Sequence, residues 1–159
     1  MDRDKLEKMP LYLKAHEILN IVERLVDLVA EDDTFLSHVA DNMYADALQL
    51  APKIAGAEGV DLYDIKMENA AIIRKCARDI YVGCNGFLIE DFQDVEYLDL
   101  LRAEVEEFRI LFAEWVKTFD QWNYIIDRWG LFNPPGVNYD DKDPDDDIPF
   151  DNPFDDTEE

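Results

Sequence analysis

Residues 98–129 read LDLLRAEVEEFRILFAEWVKTFDQWNYIIDRW, and within them Leu98, Leu101, Val105, Phe108, Phe112, Trp115, Phe119, Trp122, Ile126 and Trp129 recur at alternating steps of three and four. That rhythm puts all ten side chains on one stripe of a helix, the heptad spacing of a helix packed along its whole length. It predicts a single helix roughly 45 Å long at 1.5 Å of rise per residue. Gly130 and the pair Pro134 and Pro135 are placed to stop it. A stripe this long must be covered by partner helices, so the rest of the chain is expected to supply them.

Upstream, three further segments keep helical rhythm. Pro10 suits a first helical turn, and Leu11, Ile18, Ile21, Val22, Leu25, Leu28 and Val29 follow it at three- and four-residue steps up to the acidic break at Glu31, Asp32 and Asp33. Thr34 is read as the cap of a second helix, carrying Leu36, Val39, Met43, Ala47, Leu50 and Ile54 inward and ending at Gly56 and Gly59, with a kink at Pro52. Asp61 is read as the cap of a third, with Leu62, Ile65, Ile72, Ile73, Cys76, Ile80 and Phe87 inward and a C-terminal end weakened by Gly83 and Gly86. No strand pattern appears. The fold expected is all-α: an up-and-down four-helix bundle over residues 1–132 with a long fourth helix, followed by a disordered acidic Pro/Phe tail over residues 133–159.

The chain is 159 residues long with 48% apolar content, one domain's worth of core. Its net charge is −23. Through Phe132 there are 27 acids against 14 bases, and beyond it 11 acids against one lysine, so body and tail are both acidic. General nucleic-acid affinity comes chiefly from Lys and Arg neutralising phosphates, and this balance weighs against it and against acidic membranes. Cys76 and Cys84, eight residues apart on one helix, would be separated by roughly 12 Å of rise, too far for a disulfide, and are read as free thiols. There is no apolar leader after Met1 and no run of eighteen apolar residues, so a cytoplasmic protein with no membrane contact is expected.

Inside the tail, Asp145, Asp146, Asp147, Ile148, Pro149 and Phe150 spell DDDIPF, and a second Pro-Phe-Asp unit follows at Pro153, Phe154 and Asp155. A purely solubilising tail gains nothing from two exposed phenylalanines, so these rings are read as anchors for a protein partner. The string resembles the acidic tip of bacterial single-stranded-DNA-binding proteins. That resemblance implies a partner with a basic surface and an apolar pocket, contacted by the aspartates and the Pro-Phe end. In that family the phenylalanine is the chain terminus; here Phe150 is internal, and Asp151 or Asp155 would stand in for the missing carboxylate.

A second resemblance covers Leu11 to about Ile89. The first helix opens with Leu11, Tyr12, Leu13, Lys14, Ala15, His16 and Glu17. The second ends with Ala51, Pro52, Lys53, Ile54, Ala55, Gly56, Ala57, Glu58 and Gly59. The third carries Ala70, Ala71, Ile72, Ile73, Arg74, Lys75, Cys76, Ala77 and Arg78. Together these are similar to the four-helix-bundle proteins encoded within intervening sequences of large-subunit ribosomal RNA, and to their relatives, the accessory variability determinants of diversity-generating retroelements. The second motif departs from the family's by an insertion and a missing asparagine. The resemblance implies a non-enzymatic bundle, often a ring of five subunits, and in the retroelement branch a basic surface that engages reverse transcriptase and RNA. Lys66, Arg74, Lys75 and Arg78 are the residues available for such a nucleic-acid contact, with Arg74 and Arg78 on one helix face; their alternative is salt bridging to nearby acids.

Catalytic chemistry finds little support. A di-metal carboxylate bundle needs Glu three residues before each ligating His, but Leu13 precedes His16 and Phe35 precedes His38 at that spacing. No phosphate-binding glycine loop, nucleophile elbow or Cys-x-x-Cys is present, so no cofactor and no metal are expected. Cys76 and His16 are the one pair whose approach the helix pattern leaves open. The aromatic end of the fourth segment, Trp115, Trp122, Tyr124 and Trp129, is large for a slim bundle and is read either as core or as a surface joining copies of the chain. The function expected is a non-enzymatic, homo-oligomeric helical adaptor that presents its acidic tail to a protein. The alternatives are an accessory of nucleic-acid machinery, as a reverse-transcriptase partner or single-strand binder, and an acidic mimic of nucleic acid.

Overall fold

The computed structural model describes residues 3–144 and 146. Among them the regular structure is entirely helical: α1 (Arg3–Leu6), α2 (Pro10–Leu28), α3 (Thr34–Glu58), α4 (Tyr63–Ile89) and α5 (Val95–Val116). Helix α1 is a single turn that the sequence pattern does not announce. The four long helices pack cyclically, α2 on α3, α3 on α4, α4 on α5 and α5 back on α2. Neighbours run antiparallel. Glycines late in α4 meet the early part of α3, Gly83 at Met43 and Gly86 at Val39, while Gly56 near the end of α3 faces Asn69 near the start of α4. No helix among the described residues is long and apolar enough to cross a membrane.

Each of the four long helices exists because it buries one stripe. Leu11, Ala15, Ile18, Val22 and Leu25 form that of α2, and Leu98, Leu101, Val105, Phe108 and Trp115 that of α5. These meet Met43, Leu50 and Ile54 of α3 and Ile73, Ile80, Cys84 and Phe87 of α4 in one continuous core. Lys14 of α2 ties the outer seam to α5, its Nζ lying 2.6 Å from Glu104, 2.8 Å from Glu107 and 2.7 Å from Glu17. Hydrogen bonds donated to these carboxylates, to Glu104 foremost, hold the ammonium above the usual lysine range.

The helix ends differ from the sequence expectations in instructive ways. The cap of α3 is Asp33, whose carboxylate accepts from Leu36 N–H at 2.9 Å, and Thr34 is already helical. Helix α3 continues through Pro52 to Glu58, and α4 continues through Gly83 and Gly86 to Ile89. Asp61 does not cap α4. The first turn is satisfied from a distance instead: Tyr63 N–H donates to the Asn123 carbonyl at 2.8 Å, and Asn123 Nδ2 donates to the Asp61 carbonyl.

The largest correction concerns the long fourth helix. It ends at Val116, not Trp129. The Trp115 carbonyl accepts from both the backbone N–H and the Oγ1 of Thr118, closing the helix, and Asp120 then accepts from Trp122 N–H. Short polar side chains that bond nearby backbone compete with helix, and residues 118–127 hold three that do so, Thr118, Asp120 and Asp127. Phe119 and Ile126 are still buried, Phe119 within the core and Ile126 beneath the arm's own turns, which fold back over the start of α4.

Candidate protein-contact surfaces

Residues 117–144 form a non-helical arm lying against the bundle, and its organising residue is Asp127. The Asp127 carboxylate accepts from the backbone N–H groups of Trp129 (2.9 Å), Leu131 (2.9 Å) and Phe132 (2.8 Å). Its own N–H donates to Asn133 Oδ1 at 2.7 Å, and Asn133 Nδ2 donates back to its carbonyl. Gly130 turns the loop at φ +76°, a conformation that suits a residue without Cβ. Arg128 clamps the next stretch by donating to the carbonyls of Tyr139 (2.9 Å) and Asp141 (2.7 Å). Hydrogen-bonded turns thus continue past Phe132, where the tail was expected to begin.

Backbone donors from Phe132, Trp129 and Leu131 hold the Asp127 carboxyl below the usual aspartate range. A carboxyl depressed by folding contributes order above its unfolded pKa, about 3.9, and that contribution fades as pH falls through the depressed value. Hydrogen exchange at the Trp129, Leu131 and Phe132 amides is therefore expected to be slow relative to unstructured chain near neutral pH and to lose that protection under acid. Asp127→Ala should abolish it at every pH while leaving protection in α2–α5 unchanged; equal protection in wild type and variant would refute the role.

The arm's rigidity matters because of what it displays. Trp122 is 90% exposed and Trp129 96%, and Ile125, Leu131 and Tyr139 of the same arm are exposed as well. Tyr124 is half-buried against the core. Trp115 is not part of this surface: it is buried, stacked edge-on against Phe119, with its Nε1 donating to Glu58 at 2.6 Å. The four aromatic residues read as one patch in the sequence divide into a core anchor, a half-buried linker and two solvent-facing rings.

A second surface is an open groove of about 600 Å³ between α4 and α5. Ala77 and Tyr81 line it from α4 and Val105, Phe108 and Phe112 from α5, making an apolar floor. Arg74, Arg78 and Arg109 stand along it, with Glu106 beside Arg109. Arg74 makes no ion pair with a described residue, and Arg78 reaches only Asp79, at 3.4 Å. The i, i+4 pairing of Arg74 with Arg78 is visible in sequence; that Arg109 and Phe112 face them across a groove is tertiary information.

The four bases considered for nucleic acid do not share one face. Lys66 is largely buried, its Nζ 4.0 Å from Glu58 and 5.3 Å from the centre of the Phe119 ring. Lys75 pairs with Asp79 at 2.7 Å on the side of α4 that faces α3, whereas Arg74 and Arg78 turn toward α5.

Thiol chemistry is suppressed at both cysteines. Burial, with the neighbouring Asp46 carboxylate, pushes the Cys76 thiol up to about 11, and burial also raises Cys84. His16 is exposed and packs edge-on against Tyr12 at 4.7 Å between ring centres, so it is occupied on α2 and not by Cys76, which faces Asp46 of α3. Among the described residues no group of three or more His, Cys, Asp or Glu is arranged to hold a metal. Of the tail residues, Asp146 is exposed and its N–H donates to the Asp143 carbonyl; Asp145, Asp147, Ile148, Pro149, Phe150, Pro153 and Phe154 lie outside the described residues. No family model, no curated protein and no solved structure matches the chain.

Proposed function

We propose that this protein is a non-enzymatic helical scaffold that works through protein contacts: it assembles with copies of itself through the arm, and offers its acidic Pro-Phe tail to a partner with a basic, apolar-pocketed surface. The observation that carries the reading is the pair Trp122 and Trp129, at 90% and 96% exposure on a segment held in place by Asp127 and Arg128. Indole rings dominate the energetics of protein interfaces, and a chain that invests ten or more hydrogen bonds in fixing their backbone keeps the entropy cost of docking them low. The helical bundle and its antiparallel order also agree with the intervening-sequence resemblance, whose ring of five subunits is one form the assembly would take. Burial and the neighbouring Asp46 raise the Cys76 thiol, which disfavours it as a nucleophile.

Size-exclusion chromatography with light scattering tests it. The wild-type chain is expected to show a mass that is a multiple of 18.5 kDa at tens of micromolar, and the Trp122→Ala/Trp129→Ala variant a monomer with unchanged helical circular dichroism. A monomeric wild type, or a variant that assembles equally well, would sink the proposal.

A further inference from the structure

We propose that the groove between α4 and α5 receives the chain's own segment Asp147–Phe154, in cis. The inference rests on the reading of the tail as a recognition segment but not on self-assembly, so its failure and that of the oligomer proposal are distinguishable.

Three observations converge on it. The first is charge: in a chain of net charge −23, Arg74, Arg78 and Arg109 gather beside one apolar floor, and the segment brings Asp147 and Asp151, with Asp145 and Asp146 just before it. The Arg109–Glu106 pair is a solvent-exposed bridge and opposes docking little. The second is chemistry: half-buried Phe112 and exposed Tyr81, whose ring carries Arg102 over one face, line the groove with aromatic surface, and Phe150 and Phe154 are the rings the tail supplies. Proline before each phenylalanine fixes φ and so reduces the entropy lost on docking.

The third is reach. The groove opens at Val116, where α5 ends and the arm begins. The arm returns to the start of α4 through Ile125 N–H on Asp64, and Arg128 then holds the Asp141 carbonyl. Arg74 is about 15 Å up α4 from Asp64 at 1.5 Å per residue. Phe150 lies nine residues beyond Asp141, a span of about 30 Å when extended. Even with the Asp143–Asp146 turn kept, which shortens that span, the tether exceeds the roughly 15 Å along α4 while the Arg128 clamp stays closed. Tethering gives it an effective concentration of order millimolar, which makes a contact too weak to hold a free peptide sufficient in cis.

Methyl and aromatic NMR of the full-length chain is the test. Phe150→Ala/Phe154→Ala is expected to abolish ring-current shifts at Ala77, Val105, Ala113 and Val116, and Arg74→Glu/Arg78→Glu, at exposed positions, to abolish the same contribution. The wild-type shifts should not depend on protein concentration, and a free peptide of residues 145–156 should displace the segment only near millimolar levels. Identical groove methyl shifts in wild type and the phenylalanine variant would overturn the proposal. Shifts that grow with protein concentration would overturn cis docking and assign the groove to the tail of a second copy. Perturbation confined to another surface would overturn the site.

Discussion

Trp115→Ala is expected to lower the unfolding free energy by about 3–5 kcal/mol, the cost of removing a large aromatic side chain from a core that relaxes only in part. Trp115 is buried at the end of α5, packed against both Phe112 and Phe119. Its indole N–H is committed to Glu58 at the last turn of α3, 4.0 Å from Lys66, so truncation also removes that hydrogen bond across the bundle. Phe119, held between Trp115 and Lys66, would lose one wall of its site, and with it the first anchor of the arm. Denaturant titration followed by circular dichroism at low protein concentration measures the loss. Trp122→Ala and Trp129→Ala are the controls: solvent already surrounds both rings, so each should shift stability by no more than about 0.5 kcal/mol. A cost for Trp115→Ala as small as for these two would mean that the ring is not a core anchor.

That contrast also marks where the sequence was informative. A strict three-four rhythm is a statement about sidedness, and from Leu98 to Trp115 it holds because a helix bears it. Beyond Trp115 the same spacing persists in a chain that is no longer helical, so Phe119 and Ile126 are buried while Trp122 and Trp129 face solvent. The signal that separates the two halves is local: Thr118, Asp120 and Asp127 each use a short polar side chain to bond a nearby backbone group, the chemistry of turns. Hydrophobic period alone does not register it. The existence of the four long helices was legible because each stripe is self-contained in sequence; the start of α4 was not, since its cap comes from Asn123, some sixty residues away. The groove was half legible. Arg74 and Arg78 announce a shared face, but whether that face meets solvent, an acid or α5 depends on which helices become neighbours.

The glycines of α4 give a second large effect, with a sign that helix propensity alone would get wrong. A Cβ on Gly83 would sit 2.6 Å from Met43 Cγ and 2.7 Å from its Sδ, closer than real contacts allow, and Met43 is itself buried on all sides. Gly83→Val should therefore destabilise by about 1–3 kcal/mol through overpacking, despite the few tenths of a kcal/mol that valine gains over glycine in a helix. Gly56 supplies the opposite case: its Cβ would stand 3.6 Å from Asn69 Oδ1, an ordinary contact, so Gly56→Ala should stabilise by up to about 1 kcal/mol. The same substitution class thus changes sign with what lies across the helix interface. Met43→Ala alone should cost about 2–5 kcal/mol as a cavity. Combined with Gly83→Val, the new methyls occupy that cavity, so the double variant should be more stable than the sum of the two costs by about 0.5–3 kcal/mol. Four denaturation curves complete the cycle. Strict additivity would show that α3 and α4 do not approach through Gly83, and the tight α3–α4 seam would then need another origin than the missing side chain.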